Sequence, residues 1–528
     1  MKFNRLYIGA LLAGTIGFSS CSDSFLDTTQ TDIETSDQID DVIGSSPEQL
    51  IAFMRGINNY MIEFGAAGST SHDDFGFMSM LHCSDMNADD VVLVNNGSGW
   101  FMYDHDLSNN IETYRRTRIN WITPYTVIGR CNSLIKILDT ESEDEQVMAY
   151  LGQSYALRAL SLYYVINFYQ HVYNAWDGPN GSLPGVPIIL TDAEGGPKMG
   201  RNTVKEVLMQ IQSDYESSLE YFERAGKWTR SGEDAKAFID KYVANGLAAR
   251  FYLMTQQWEK AGTAADNALQ QPGLSLMSAA DYAAGFSDIS NKEWMWGMPI
   301  TAQNTTVYAS FFSHISNLSP GYAGIGAYRA ISNWLYEKMD EDDQRKDVFE
   351  PKTIIKDGEV VANPDSLFNT KFGYVSNFEN DLPYMRAAEM YLIKAEAYAR
   401  RGDQATAGSI LNELLKNRYS SDPGITTASI DDILIQRRIE LWGEGFGLFD
   451  CKRTNRPINR GYEGSNFQSA YQYNAAIQNN AFNLQIPLPE ITENPSISPT
   501  EQNPYPPILE PWSVDNPAFN NEDGTVTK

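Results

Sequence analysis

The chain of 528 residues carries 40 Lys and Arg against 68 Asp and Glu, a net charge of −28. A surface of that sign repels nucleic-acid phosphates and anionic lipid headgroups, which excludes a nucleic-acid binder and a protein held to a membrane by a basic patch. The four cysteines are too widely spaced for a disulfide framework or a zinc knuckle, and they leave room for one bridge among Cys83, Cys131 and Cys451.

The chain opens with Lys2 and Arg5, an uncharged apolar run from Leu6 to Phe18, and the small residues Ser19 and Ser20 before Cys21. This is the layout of a secretory signal, and the run is shorter than the ~20 residues that span a bilayer. Phe18-Ser19-Ser20-Cys21 resembles a lipobox, which predicts cleavage before Cys21 and acylation of its thiol. Loss of residues 1–20 leaves 508 residues with 38 Lys and Arg and a net charge of −30. The polar stretch that follows, 21–45, reads as a tether too poor in apolar residues to pack.

Beyond the tether, helical periodicity dominates. Leu157, Leu160, Tyr164, Val165 and Phe168 lie on one helical face,. Ala244, Leu247, Ala248, Phe251 and Tyr252 repeat the pattern, with a break at 256–258 and an Ala-rich partner through Ala261, Ala265 and Ala268. A third helix is predicted from Tyr384 through Ala387, Ala388, Tyr391, Leu392, Ala395 and Tyr398, breaking at Gly402 and resuming with Ala405, Ala407 and Leu411. Small and aromatic residues on facing helices joined by tight turns are the pattern of tetratricopeptide-type hairpins. Residues 65–110, 171–202, 272–383 and everything after Arg453 are rich in Gly, Pro, Asn and aromatics, and read as long irregular loops with a few short strands,. The expected fold is mainly α, a single domain over 46–528. In the 272–383 region, Trp294 and Trp296 alternate at strand spacing, so one of them is predicted to face the core.

Four stretches resemble the RagB/SusD family of surface nutrient-binding lipoproteins. They are Cys21-Ser22-Asp23-Ser24-Phe25-Leu26-Asp27, the run from Arg386 to Ala397, the run from Arg438 to Arg453, and Asn291-Lys292-Glu293-Trp294-Met295-Trp296. Gly447 stands where the family usually has a basic residue, and Cys451 where it usually has Leu. The resemblance implies tetratricopeptide-like helical pairs carrying an irregular binding region and an outer-membrane location through the lipid on Cys21. It also implies a SusC-like TonB-dependent transporter as partner and non-catalytic binding of oligosaccharides on aromatic platforms. Some members take peptides instead.

Sugar binding needs flat apolar faces for C–H groups and polar partners for every buried hydroxyl. Two loop regions offer that mixture: Asn95, Asn96, Trp100 and Tyr103 in 65–110, and Tyr308, Phe311, Phe312, Tyr322 and Tyr328 in 272–383. Trp100 is the leading candidate; the alternative for each ring is that it pins down its own loop. Asp85, Asn87 and Asp89 begin like a calcium loop, but Asp90 replaces the required glycine and Asn96 the bidentate glutamate,. A helix cap or a loop-stabilising carboxylate cluster is therefore expected there, with a calcium ion as the lesser alternative and no other cofactor. No nucleophile elbow, zinc helix, phosphate loop or catalytic carboxylate pair is recognisable, and the five histidines are scattered,. The competing readings are a peptide or glycopeptide receptor, a glycoside hydrolase, and a structural subunit of a transporter complex.

Overall fold

The computed structural model describes residues 47–94, 100–191, 198–306, 308–351 and 367–513, with the paired strand residues 355–356, 359–360, 519–520 and 525–526. The signal segment, Cys21, the tether, Asn95 and Asn96 lie outside the described residues. After α1 (Pro47–Tyr60) and α2 (Phe77–Asn87), long helices follow in order: α3 (Arg115–Ile137), α4 (Glu145–Tyr169), α5 (Val204–Arg224), α6 (Lys241–Met254) and α7 (Trp258–Leu269). The chain then leaves the helical layer for over a hundred residues and returns with α8 (Ala387–Arg400), α9 (Gln404–Leu415), α10 (Ile430–Glu440) and α11 (Gly447–Thr454).

Local chemistry sets the helix starts. The Asp144 and Asp240 carboxylates accept from the second and third amides of α4 and α6, and Thr203 forms a capping box with Glu206 at α5,. Each of α3 to α8 packs on the next, α10 packs on α8, and α7 packs on α8 as closely as if no insertion separated them. The facing surfaces hold the residues that the periodicity picked out: Ala388, Leu392, Ala395, Ala407 and Leu411 form one buried cluster. Small residues there let the helix pairs approach, the tetratricopeptide-like arrangement. No helix among the described residues is long and apolar enough to cross a membrane.

Three strands of the insertion join one that precedes α3 in an antiparallel sheet of order β1 (Val91–Leu93), β3 (Arg329–Ile331), β5 (Leu367–Asn369), β4 (Phe349–Pro351). A second ladder pairs β2 (Trp294–Met298) with β6 (Leu382–Arg386). Two expectations fail here. Tyr384 belongs to β6 and not to the following helix, which begins at Ala387; its spacing merely continues the helical offsets. Trp294 and Trp296 are both in the core, 1% and 0% exposed, because every residue of β2 is buried and neither face of the strand meets water. Trp296 donates its Nε1 hydrogen to the Ala237 carbonyl at 3.1 Å and packs its ring on Tyr384 at 4.8 Å. Cys83, Cys131 and Cys451 are buried free thiols, so no bridge forms among them.

A fully buried ionic cluster joins the insertion to the helices. Arg386 meets Glu293 at 2.7 Å, Glu440 at 2.6 Å and Glu444 at 2.7 Å. Arg418 meets Glu293 and Glu440 at 2.9 Å each. Arg345 bridges Asp343 at 2.7 Å to Glu440 at 3.0 Å, and Lys371 meets Glu444 at 2.6 Å. Four acids balance four bases. Burial alone raises the Glu440 carboxyl, but Arg418, Arg386 and Arg345 outweigh it and hold the group well below the usual carboxylate range,.

The run 438–453 thus owes its character to partners far away in sequence. Arg438 pairs with Asp90 at 2.5 Å, and Arg453 with Glu396 at 2.8 Å. Gly447 is required by close approach: a Cβ there would stand 2.7 Å from the Ala88 Cβ, so the basic side chain usual at this place does not fit. The Asp85, Asn87 and Asp89 groups serve the same junction. Asp85 accepts from the Gly445 and Gly447 amides at 2.7 and 2.9 Å, Asn87 donates to the Asp104 carbonyl at 2.9 Å, and Asp89 accepts from Arg456 at 2.7 Å. Their polar atoms are taken by protein partners, and among the described residues no cluster of three or more His, Cys, Asp or Glu is arranged to hold a metal.

Replacing Glu440 by Gln strips the shared charge from three buried guanidiniums and is predicted to cost about 3–5 kcal/mol in urea unfolding. Because the folded pKa of Glu440 is depressed, its contribution is full above the unfolded value near 4.5 and is lost as pH falls below it,. The wild type should therefore lose stability below that pH more steeply than Glu440→Gln, as thermal melts between neutral and acid pH would record.

Candidate functional site

The site grows from two loops that are held rigidly from below. The first, 61–76, closes on itself: the Phe77 amide donates to the Met61 carbonyl at 2.8 Å, and the Gly65 amide to the Asp74 carbonyl at 2.9 Å. Closure requires glycine at 76, where φ is +72° and a Cβ would lie 2.1 Å from the Met61 oxygen,. At its root the fully buried Asp73 meets Arg115 at 2.8 Å and Arg116 at 3.3 Å, and Arg116 meets Asp104 at 2.7 Å. Burial pushes both neighbouring carboxyls of this loop up, Asp74 to about 6, with Arg116 opposing,.

The second loop runs from β2 to β3 and carries Tyr308 and Tyr322. His314 joins the two loops from beneath: its Nε2 hydrogen goes to the His72 carbonyl at 2.8 Å, and its ring stacks on Tyr322 at 5.0 Å. Burial lowers the His314 pKa well below its ordinary value, so the ring is neutral. His72 Nδ1 and the Tyr322 hydroxyl share a hydrogen bond of 2.7 Å.

On this base stands a continuous aromatic wall. The His72 ring stacks on Trp100 at 5.3 Å and 16°, lies parallel to Tyr308 at 6.3 Å and 3°, and meets the edge of Phe64 at 5.9 Å. Tyr322 contacts Trp100 at 6.2 Å and Tyr308 at 5.8 Å. Tyr308 is 46% and Phe64 37% exposed, whereas Trp100 and Tyr322 are half-buried. The Arg115 guanidinium sits 5.3 Å from the Trp100 ring centre and leads into a cleft of about 360 Å³. Ser69, Glu112, Tyr114, Arg118 and Leu488 line that cleft. Arg118 is exposed and has no ion-pair partner among the described residues. Glu112 is the one acidic group among the described residues of the lining, and it accepts from Gln502 at 2.8 Å.

Trp100, Tyr308 and Tyr322, predicted from two distant regions, are therefore brought together. Tyr103 is exposed but makes no ring contact with this group. Three candidates are corrected to core positions: Phe311, Phe312 and Tyr328 are 2%, 1% and 2% exposed. Phe311 and Phe312 lie on a short helix packed on Phe372, and Tyr328 leads into β3 and packs on Phe368. Sequence reasoning missed Phe64, His72 and the arginines. The cue for the arginines was present in Arg115-Arg116-Thr117-Arg118, an unusually basic start for a helix. The histidines are scattered in sequence but His72 and His314 touch.

Two family models match the sequence. One, described as "SusD family", covers residues 332–505; the other, described as "Starch-binding associating with outer membrane", covers 34–253. No protein of curated function is matched. The fold is similar to that of a SusD-like carbohydrate binding protein from Bacteroides vulgatus, 25% identical, with a TM-score of 0.72 over 87% of this chain and 98% of that one. It is also similar to surface glycan-binding protein A from Bacteroides uniformis (19% identity, TM-score 0.65, 87% and 99% covered). A laminarin binding SusD-like protein is 18% identical with a TM-score of 0.64 over 87% and 99%. One family model spans α1 to α6 and the other the later half of the insertion with α8 to α11, and together with the shared fold they place this chain in the SusD/RagB family.

Proposed function

We propose that the protein is a non-catalytic glycan receptor on the outer face of the outer membrane, anchored by acylated Cys21, which passes oligosaccharide to a SusC-like TonB-dependent transporter. The observation that carries this reading is the aromatic wall of Phe64, His72, Trp100, Tyr308 and Tyr322 beside a polar cleft. Rings accept the apolar C–H face of a pyranose, and Ser69, Glu112, Arg115 and Arg118 offer partners to its hydroxyls,. The similarity to carbohydrate-binding and laminarin-binding SusD-like proteins supports a carbohydrate as ligand, and the family description supports the location. Against hydrolysis stands the single carboxylate among the described residues lining the cleft, because glycosidases use two facing acids about 5–10 Å apart.

Titration calorimetry against panels of oligosaccharides and peptides tests the ligand class. Tyr308→Ala is expected to weaken glycan binding about tenfold with little change in melting temperature, since the side chain is half exposed,. Trp100→Ala should weaken it at least as much. Binding of peptides alone would sink the glycan reading. In a second assay, prolonged incubation with a bound glycan should release no new reducing ends; release that disappears in Glu112→Gln would make the protein a hydrolase.

A further inference from the structure

A second, smaller opening lies away from the aromatic wall and shares no lining residue with its cleft. It has a volume of about 120 Å³ and is framed by Asn174, Trp176, Asp177, Gln256 and Trp258. These residues come from the turn after α4 and the α6–α7 turn. The Tyr169 hydroxyl at the end of α4 donates to the Thr117 carbonyl in the first turn of α3. The opening therefore belongs to the end of the helical stack where α3 begins, the end that also carries Arg115.

Its chemistry is unusual for a helix-turn junction. Both indoles are partly buried, and each is held by a cation: Lys205 Nζ sits 3.8 Å from the Trp176 ring, and the Arg400 guanidinium 5.2 Å from Trp258,. Lys205 also donates to the Trp176 carbonyl, and Phe251 meets the Trp176 ring edge-on at 6.1 Å. The rings are thus fixed in place rather than free to collapse into the gap. The side-chain amides of Asn174 and Gln256 make no hydrogen bond to any described residue, while the neighbouring Thr255 and Gln257 side chains are bonded. The Asp177 carboxylate has only the distant Lys205 contact at 3.8 Å, and its side chain is 87% exposed. Asn174 and Gln256 both hold left-handed backbone, with φ of +50° and +61°. That conformation costs free energy for a residue with a side chain, and such strain concentrates where a turn serves a ligand.

Two fixed indoles, two unspent amides and a carboxylate around one small hollow are the groups that recognise a sugar ring. Its volume is below the ~300–1,000 Å³ of sites for larger ligands, which limits it to one unit. We infer that the hollow between the α4 and α6–α7 turns is a second carbohydrate subsite, taking a single neutral pyranose at a chain end or branch. The ligand class rests on the glycan-receptor reading above, but the residues are separate. A glycan long enough to reach both sites gains from linked occupancy, since the second contact is intramolecular.

The test is saturation-transfer NMR on the full-length protein with D-glucose, D-galactose, D-mannose, D-xylose and N-acetyl-D-glucosamine at millimolar concentration. At least one sugar should give a saturable signal that persists in Tyr308→Ala and weakens about tenfold or more in Trp258→Ala. Asp177→Ala should weaken it too, and because that side chain is exposed the variant keeps its fold if Trp258→Ala does not. No signal from any of the sugars, or a signal unchanged in both variants, overturns the subsite. Failure of Tyr308→Ala to reduce oligosaccharide binding overturns instead the wall as the main site, so the two ideas fail on different variants.

Discussion

A guanidinium can be buried only where carboxylates compensate its lost hydration, and Arg386 is the group on which the architecture turns. It is 1% exposed and touches Glu293 at the start of β2, Glu440 at the end of α10, and Glu444 in the turn beyond. Those three acids also hold Arg418, Arg345 and Lys371. Through them the irregular insertion is tied to the helical stack at both of its ends and twice between, although it lacks the repeating geometry that holds the helices together. Arg115 and Arg116 play the same part for the loop 61–76 by way of Asp73. Each half of the aromatic wall therefore stands on its own buried ion pairs. A wall built this way is ordered before ligand arrives, so binding does not bear the entropy of arranging five rings.

The helices were legible because periodicity is a local property. Where Ala and Leu recur at helical offsets the structure has helices, and the breaks at 256–258 and Gly402 fall where α6 and α8 end. Tyr384 shows the limit of that reasoning. Its offset fits α8, but Arg386 must reach Glu293 across the ladder, and the backbone stays extended through that residue. Long-range pairing overrode a local pattern. The tryptophans of β2 show another limit: residues two apart on a strand share a face, so the spacing gave no ground for separating them, and every residue of this strand is buried,.

Composition found the two regions of the wall but could not sort their rings. Tyr308, Phe311, Phe312, Tyr322 and Tyr328 look alike in a sequence. What separates them is that 311–315 is a helix packed against Phe372 and that Tyr328 feeds into β3, facts of tertiary pairing. The role of His72 was likewise invisible, because its importance lies in stacking between Trp100 and Tyr308, the second of which is more than two hundred positions away.

The anchors and the wall use different residues, and this separation bears on how the fold can serve different ligands. Glu293, Glu440, Asp73 and Arg116 are buried and line no part of the cleft, Arg115 alone joins an anchor to it, and Tyr308 and Phe64 expose their rings. Changes at the exposed positions alter which surface is offered without touching the charges that hold the loops. Structures only 18–25% identical to this chain share its fold over nearly their whole length, as expected when the framework rests on a small set of buried charges. Ligand chemistry must then be read from the rings and amides left facing solvent, and among the described residues they gather at the aromatic wall and at the hollow between the α4 and α6–α7 turns.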